Sequence, residues 1–441
     1  MASDAITAKI PEVIPISAAP APPSERLPAL DLLRGVAILA ILPANFPLFS
    51  GALNHWTIEA IPAGPLDHAA HSFSLFFFFG KFITILSMLF GAGLALQAWR
   101  AEYEKRPFAA YYLRRMAWLF VLGLAHGLLL WYGDILSSYA VVGAGALLIS
   151  RFPQRVWLWI AAVCLVYILA WFCLILVGSL FVGQNFLAGG MTGLPDTPPK
   201  NEVEAMMEDL ARRWQEHAST EGQTRVWREG GFLSMVLDRT LYLGNYALGF
   251  WLMAGWYILA CFLIGMDLLR RGVFHDFDAH RRLVRWLIIG GLTLGVPLQM
   301  LTVALYLWAP AGGLYLMLPY SLGALPMALA YLGAGLWWAH SGRLAWLQHC
   351  FAATGRLALS NYILQSILCN LIFYSFGLAW YGRVGHAAGL ALVAGIWLVE
   401  IGLSVVWLRV FAIGPVEWLW RSLAEGRLLP VRAQPIVDKT A

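Results

Sequence analysis

The feature that most constrains this chain is a succession of long apolar segments separated by short polar turns. Ten of them, at 29–49, 72–98, 112–132, 134–150, 156–183, 243–269, 284–308, 314–339, 357–378 and 388–412, approach the ~20 residues that a helix needs to cross hydrocarbon. Hydrocarbon offers a backbone amide no partner, so segments this long must satisfy their own hydrogen bonds as helices. The predicted fold class is therefore all-α: a polytopic, multi-pass integral membrane protein of about ten transmembrane helices, with the lipid bilayer as its first partner. Composition agrees. Of 441 residues 60% are apolar and 12% charged, about half the ~25% charged share of a soluble domain. A chain so poor in charge cannot cover a water-exposed surface, which excludes a soluble enzyme. The net charge is only +5, and its basic residues form no stripe along which a phosphate backbone could run, so nucleic acid is not an expected partner. Five cysteines without a C-x-x-C pair give neither a disulfide framework nor a zinc site, and no metal is expected.

Lys and Arg predict the orientation. With the N-terminus inside, the inner loops receive Arg100, Lys105, Arg106, Arg114 and Arg115, then Arg151 and Arg155, then Arg270, Arg271, Arg281, Arg282 and Arg285, and last Arg343 and Arg356. The short outer loops carry none in 50–71 and 309–313, and only Arg383 in 379–387. This is an N-in, C-in topology. Residues 1–27, rich in Ala and Pro and without the basic start and apolar region of a signal peptide, are expected to be a disordered cytoplasmic tail. Residues 28–425 form the transmembrane helical domain and 426–441 a second cytoplasmic tail. The polar loop 184–242 falls outside, and its stretch 201–216 has helical spacing with Asn201 as a cap. It reads either as a lid over an outer cavity or as a plain surface helix.

In such a chain the informative residues are the ionisable and polar ones inside spans, because each is costly unless paired or hydrated. Asp31 and Arg34 share one face at the inner start of the first helix, as an interfacial ion pair or as a cationic site for a phosphate-bearing ligand. Asn45 follows Arg34 by eleven residues, about three turns, on the same stripe, with Pro43 loosening the helix between them. Lys81, about 14 Å below the outer end of its span, should face a water-filled cavity or a partner acid. Glu400 lies at full depth in the last span and reads best as a carboxyl bonded to a neighbouring helix. His126 is followed eight residues later by Asp134, just beyond Trp131, Tyr132 and Gly133. A chain reversal there would bring carboxylate to imidazole, the apparatus for general-base removal of a hydroxyl or amine proton. Asp134 serves equally as the N-cap of the next helix, and His126 as a core residue beside a close-packing Gly123 and Gly127. Arg356, Ser360, Asn361, Gln365 and Asn370 form a polar series in the ninth helix, with Asn361 and Gln365 on one face. They either line a pore or ligand site or bond neighbouring helices.

These pieces match a family. The run Leu30-Asp31-Leu32-Leu33-Arg34-Gly35-Val36-Ala37-Ile38-Leu39 with Asn45 resembles the opening of the YeiB-like membrane proteins, a family of unknown function. So do Gly80-Lys81-Phe82 with Leu89-Phe90-Gly91-Ala92-Gly93, and His126-Gly127 with Gly133-Asp134-Ile135-Leu136. The closing half adds Gly355-Arg356-Leu357-Ala358-Leu359-Ser360-Asn361-Tyr362 with Gln365-Ser366, and Gly414-Pro415-Val416-Glu417-Trp418-Leu419-Trp420-Arg421. That family is distantly similar to the transmembrane acyltransferases, which share an Arg followed eleven residues later by a polar residue. In the branch that O-acylates surface glycans that residue is a catalytic His, where this chain has Asn45. The heparan-type N-acetyltransferase branch also has Asn there and takes its His from the following outer loop, where this chain offers His55, His68 and His71.

The resemblance and the residues together predict an acyltransferase that moves an acyl group from cytosolic acyl-CoA, the donor substrate, to a hydroxyl or amine of an outer-side glycan or lipid. His126 is the expected base, oriented by Asp134. Lys81, Asn45 or Asn361 would donate to the oxyanion, and Asp31, Arg34, Asn45, Arg356, Asn361 and Gln365 would bind the substrates. The alternative is a proton-coupled transporter using Lys81, Glu400 and His126 as a relay, and a non-catalytic scaffold is the third reading. The sequence is compatible with a homo-oligomer and does not fix the oligomeric state.

Overall fold

The computed structural model describes residues 27–51, 64–182, 206, 219–308 and 313–432. The sequence expectations for residues 1–26, for His55, for the lid over 201–216 and for the end of the chain beyond 432 lie outside the described residues, Met206 apart.

Fifteen α-helices follow one another among the described residues. They are α1 (Pro28–Ala40), α2 (Leu42–Ser50), α3 (Pro65–Phe77), α4 (Lys81–Tyr103), α5 (Ala109–Leu129), α6 (Leu136–Ile149), α7 (Gln154–Val182) and α8 (Thr220–Thr224), which runs into a π-helical turn over Arg225–Glu229. Then come α9 (Phe232–Arg270), α10 (Phe277–Trp308), α11 (Gly313–Ser341), α12 (Ala345–Arg356), α13 (Ala358–Phe373), α14 (His386–Val410) and α15 (Pro415–Glu425). The described residues contain no β-strand, only an isolated bridge between Phe411 and Arg432. The all-α class is thus the class observed.

Among the described residues seven helical stretches are long and apolar enough to cross a membrane: Pro28–Ser50, Pro65–Tyr103, Gln154–Leu174, Met253–Arg270, Phe277–Trp308, Leu318–Ser341 and His386–Val410. An eighth arises if α12 and α13, bent by 82° at Leu357, are taken as one broken span. Two of the ten predicted segments fall short for readable reasons. The segment at 134–150 becomes α6, 14 residues long, because Asp134 ends the preceding turn and caps the helix late. At 1.5 Å per residue α6 covers about 21 Å, against a hydrocarbon core of about 30 Å. The segment at 112–132 becomes α5, whose Arg114, Arg115 and His126 dilute its apolar character. Elsewhere helices outrun the predicted bounds. The second segment begins at Pro65 and breaks at Phe78–Gly80, where Gly80 takes a left-handed φ of 76°.

Apolar side chains cover outward faces. On α7 Trp159 is 74% exposed, and Val163 and Val166 stand out beside it, as do Leu398 and Val406 on α14. A soluble surface does not tolerate such continuous apolar faces, and lipid does. The interior is assembled by close helix crossings. Where α1 crosses α12, Gly35 lies against the Phe351 carbonyl and Gly355 against the Asp31 carbonyl, and a methyl group on either would overlap that backbone. Lipid tails are as apolar as leucine, so backbone-to-backbone contact of this kind is a main source of helix association in a bilayer. This crossing also fixes the ends of α1 and α13 that carry the polar residues discussed below. Overpacking a well-packed contact costs about 1–3 kcal/mol. The Gly355→Ala variant is accordingly expected to lower the thermal unfolding midpoint of the detergent-solubilised protein, and an unchanged midpoint would contradict the crossing.

Candidate active site

The site grows from the end of α5. The amides of Leu130 and Trp131 both donate to the His126 carbonyl at 2.9 Å, the helix stops, and the chain turns back into α6. Asp134 stands at the head of the returning helix. Its carboxylate accepts from the Ser137 amide at 2.8 Å and the Leu136 amide at 3.2 Å, two of the donors that a helix start leaves without internal partners. The same carboxylate lies 3.0 Å from His126 Nδ1. The capping and orienting readings of Asp134 therefore hold together. Gly123, one turn before His126, permits the approach, since a methyl there would overlap the Ser137 amide and the Asp134 carboxylate.

A third residue completes the chain of bonds. Ser366 Oγ lies 2.8 Å from His126 Nε2. A carboxylate only accepts, so Nδ1 carries the ring proton and leaves Nε2 to accept from the Ser366 hydroxyl. The Tyr362 carbonyl, 3.4 Å away, is a longer alternative for that proton. Asp134, His126 and Ser366 thus stand in the order orienter, base, hydroxyl that defines a nucleophilic triad by geometry. All three are buried, the His126 and Asp134 side chains at 1% and 2% exposure. The Tyr362 ring lies 4.9 Å from the imidazole.

Helix α13 supplies Ser366 from one of two polar stripes. Tyr362, Ser366 and Asn370, spaced by four, face the end of α5. There Asn370 Nδ2 donates to the Leu130 carbonyl at 3.0 Å, while Arg239 donates to the Leu129 carbonyl at 2.7 Å and to Asn370 Oδ1 at 3.1 Å. A buried arginine thus satisfies the open carbonyl end of α5, where a positive charge is favoured. Its guanidinium packs on the Trp227 and Tyr374 rings. Asn361 and Gln365 form the second stripe and bond other helices. Asn361 donates to Ser404 Oγ at 2.9 Å and to the Thr354 carbonyl at 3.1 Å, and Gln365 to the Ile38 carbonyl at 2.9 Å and to Glu400 Oε2 at 3.0 Å. For these two amides the interhelical reading is the observed one. The head of α13 is set by Glu417 of α15, which accepts from the Leu359 amide at 2.7 Å, the Ser360 amide at 3.1 Å and the Ser360 hydroxyl.

A cavity of about 560 Å³ lies beside this site, walled by α1, α4, α5, α6, α12, α13 and α15. Five arginines line it, Arg34, Arg100, Arg115, Arg356 and Arg421, together with the carboxylates of Asp31, Glu417 and Glu425. Arg34 is paired with Asp31 at 3.0 Å. Arg115 lies over the Trp420 ring and donates to Gln97 at 2.7 Å. Arg115 and His126 are eleven residues apart on α5, about 16 Å along the axis. Towards the triad the wall is made by Ile135, Leu136, Tyr139 and Tyr362. Tyr362 therefore touches both the cavity and the imidazole, while His126, Asp134 and Ser366 lie behind it. Asp31, Arg34 and Arg356 line the cavity, and Asn45, Asn361 and Gln365 are not among its lining residues.

Lys81 departs from its expectation. Its ammonium meets neither an acid nor the cavity, and donates instead to the Leu75 carbonyl at 2.7 Å and to Gln299 Oε1 at 2.5 Å. The Lys81 and Asn361 donors are thus turned to other acceptors than an oxyanion beside His126. Among the described residues Lys81 bonds Gln299, His126 bonds Asp134, and Glu400 bonds Gln365. His68 and His71 gather elsewhere, with the His71 ring 4.4 Å from that of His386. Among the described residues no group of three or more His, Cys, Asp or Glu is arranged to hold a metal.

Sequence spacing passed over Ser366, Tyr362 and Arg239 as site residues. The quoted run Gln365-Ser366 already contained the serine, but only the fold reveals that it faces α5. Glu417 offers a direct test of how the site is held. The Glu417→Ala variant leaves two half-buried amides without their acceptor, a loss of about 1 kcal/mol, and hydrogen exchange should show faster amide exchange at Leu359 and Ser360. Exchange unchanged there would contradict the cap.

Residues 268–427 match the family model described as "Protein of unknown function (DUF418)". The chain is 31% identical over 429 residues to "Uncharacterized protein YeiB" of Escherichia coli (strain K12), covering 95% of this chain and 100% of the relative. It is 29% identical over 438 residues to "Uncharacterized protein YxaH" of Bacillus subtilis (strain 168), covering 95% and 97%. It is 25% identical over 414 residues to "Uncharacterized 39.9 kDa protein in amylase 3'region" of Bacillus acidopullulyticus, covering 94% and 98%. No solved structure matches the chain significantly. Identity of this level to YeiB along nearly its whole length means that the chain belongs to the YeiB-like family.

Proposed function

We propose that the protein is a membrane acyltransferase that takes an acyl group from acyl-CoA and passes it to a hydroxyl or amine of a glycan or lipid on the opposite side of the bilayer. One observation carries this reading: the Asp134–His126–Ser366 chain of bonds abuts, across Tyr362, a cavity lined by five arginines. A proton-accepting imidazole beside a site rich in guanidinium groups suits a donor that joins a reactive thioester to several phosphates. Arginine forks match phosphate oxygens bidentately, and a partly enclosed cavity strengthens each such pair.

With the N-terminus inside, as the distribution of Lys and Arg suggests, the arginine end of the cavity opens to the cytosol. The phosphates of the donor dock among Arg34, Arg100, Arg115, Arg356 and Arg421, and the acyl thioester points along α5 towards Tyr362 and His126. His126 Nε2 accepts the proton of the attacking hydroxyl, and Asp134 holds the ring so that Nε2 faces the site. The ten-span, N-in, C-in arrangement in a bacterial inner membrane belongs to the same proposal, with α5 and α6 completing the set as an imperfect pair packed against the other helices.

Two measurements test the reading. Purified protein in nanodiscs should bind radiolabelled acetyl-CoA, more weakly as salt rises, and Arg34→Gln combined with Arg356→Gln should weaken binding further. In native membranes His126→Ala should reduce acetyl transfer to endogenous acceptors by about 100-fold or more. Absence of CoA binding, or transfer undiminished in His126→Ala, would overturn the proposal.

A further inference from the structure

The Ser366 hydroxyl does more in this arrangement than satisfy a histidine. Three observations bear on it. First, the hydrogen bonds are directional: Asp134 takes the Nδ1 proton, so Nε2 is left to accept from Ser366 Oγ at 2.8 Å. A serine whose only task is to fill a core position needs no carboxylate behind its acceptor. Second, His126, Asp134 and Ser366 come from three elements, the end of α5, the turn before α6 and the middle of α13. Each is held by its own device: Gly123 admits the Asp134 turn, Asp134 caps α6, and Glu417 caps α13. Third, the Tyr362 ring separates this group from the cavity and lines both, with its hydroxyl donating to the Gly133 carbonyl at 3.4 Å and bonded to the Ile135 backbone. Tyr362 is thus the side chain that stands between the cavity and the imidazole that Ser366 bonds.

We propose that Ser366 is the nucleophile of a two-step transfer and carries the acyl group as an ester between donor and acceptor. This rests on the acyl-transfer reading above and deepens it. In the first step the Ser366 O–H proton passes to His126 Nε2 while Oγ bonds to the thioester carbonyl carbon. The carbon–sulfur bond then breaks, and the departing thiolate takes the proton from Nε2, giving acyl-Ser366 and free CoA thiol. In the second step the acceptor hydroxyl or amine gives its proton to Nε2 and bonds to the ester carbon, and Ser366 Oγ leaves with that proton. No oxidant or further reactant is needed, and the enzyme returns to its starting state. Asp134 remains a carboxylate throughout and stabilises the imidazolium of each step. A covalent relay of this kind suits a protein whose donor and acceptor approach from opposite faces of a membrane, because the two never need to occupy the site together.

Full-length protein in nanodiscs, incubated with radiolabelled acetyl-CoA without acceptor and quenched in acid, tests this directly. The expected result is an acetyl group on the peptide containing Ser366, with stoichiometric release of CoA. The label should be absent in Ser366→Ala and in His126→Ala, while Ser366→Ala still binds CoA. Ser366→Cys keeps a nucleophile at the same place and should take the acetyl group as a thioester cleaved by neutral hydroxylamine, which guards against mere misfolding of the alanine variant. CoA binding and acetyl transfer without label on Ser366, or transfer retained in Ser366→Ala, would overturn the covalent step and leave direct transfer standing. Absence of CoA binding by the wild-type protein would overturn both.

Discussion

The Asp134 carboxylate is the interaction on which the candidate site depends. Where helix ends are buried, the start of α6 needs acceptors for its amides and the end of α5 needs a reason to stop and reverse. Asp134 supplies the first, and by accepting from His126 it fixes the imidazole where the reversal begins. Each unmade bond at such a buried site costs about 1–3 kcal/mol, so the three bonds that converge on Asp134 favour one geometry of the turn over its alternatives. Around it the other devices follow one rule, that a buried polar group is used to finish a helix. Arg239 and Asn370 close the carbonyl end of α5, and Glu417 closes the amide end of α13. The same groups that complete helices hold a serine, a histidine and a carboxylate in a row.

Much of the fold was legible because the bilayer imposes a simple rule on sequence. Long apolar runs must be helices, and helices stand at the described positions of the predicted segments. The count was less legible where polar requirements interrupt the run. α6 is short because its cap lies inside the apolar segment, and the ninth segment is cut at Leu357, where α12 and α13 meet at 82°. Apolar length does not encode such breaks. They follow the carboxylates that receive the amides, Asp134 from just before α6 and Glu417 from the distant α15.

The site was legible where its partners are near in sequence. His126 and Asp134 are eight residues apart across an evident turn, and spacing alone suggested that they meet. Asp31 and Arg34 are three apart on one helix. Ser366 lies 240 residues from His126, Arg239 131 residues from Asn370, and Glu417 58 residues from Leu359. Local periodicity says nothing about such pairings. Lys81 shows the converse error. Depth in an apolar segment predicted a cavity or an acid, yet an ammonium is also satisfied by neutral oxygens, and here the Leu75 carbonyl and the Gln299 amide suffice. The polar series on α13 divided for a similar reason. Residues one position apart on a helix point about 100° apart, so Asn361 and Gln365 serve α1, α12 and α14, while Tyr362 and Ser366 serve α5.

The central claim is that the arginine-lined cavity delivers a phosphate-bearing acyl donor to the Asp134–His126–Ser366 chain. An electron cryo-microscopy structure of the full-length protein in nanodiscs with a non-hydrolysable acetyl-CoA analogue tests it most directly. The account predicts phosphate density among Arg34, Arg115, Arg356 and Arg421, the Tyr362 ring turned away from its place, and the acyl carbonyl within bonding reach of Ser366 Oγ and His126 Nε2. A cavity filled by lipid acyl chains, with the analogue absent or bound on another face and Tyr362 unmoved, would contradict it.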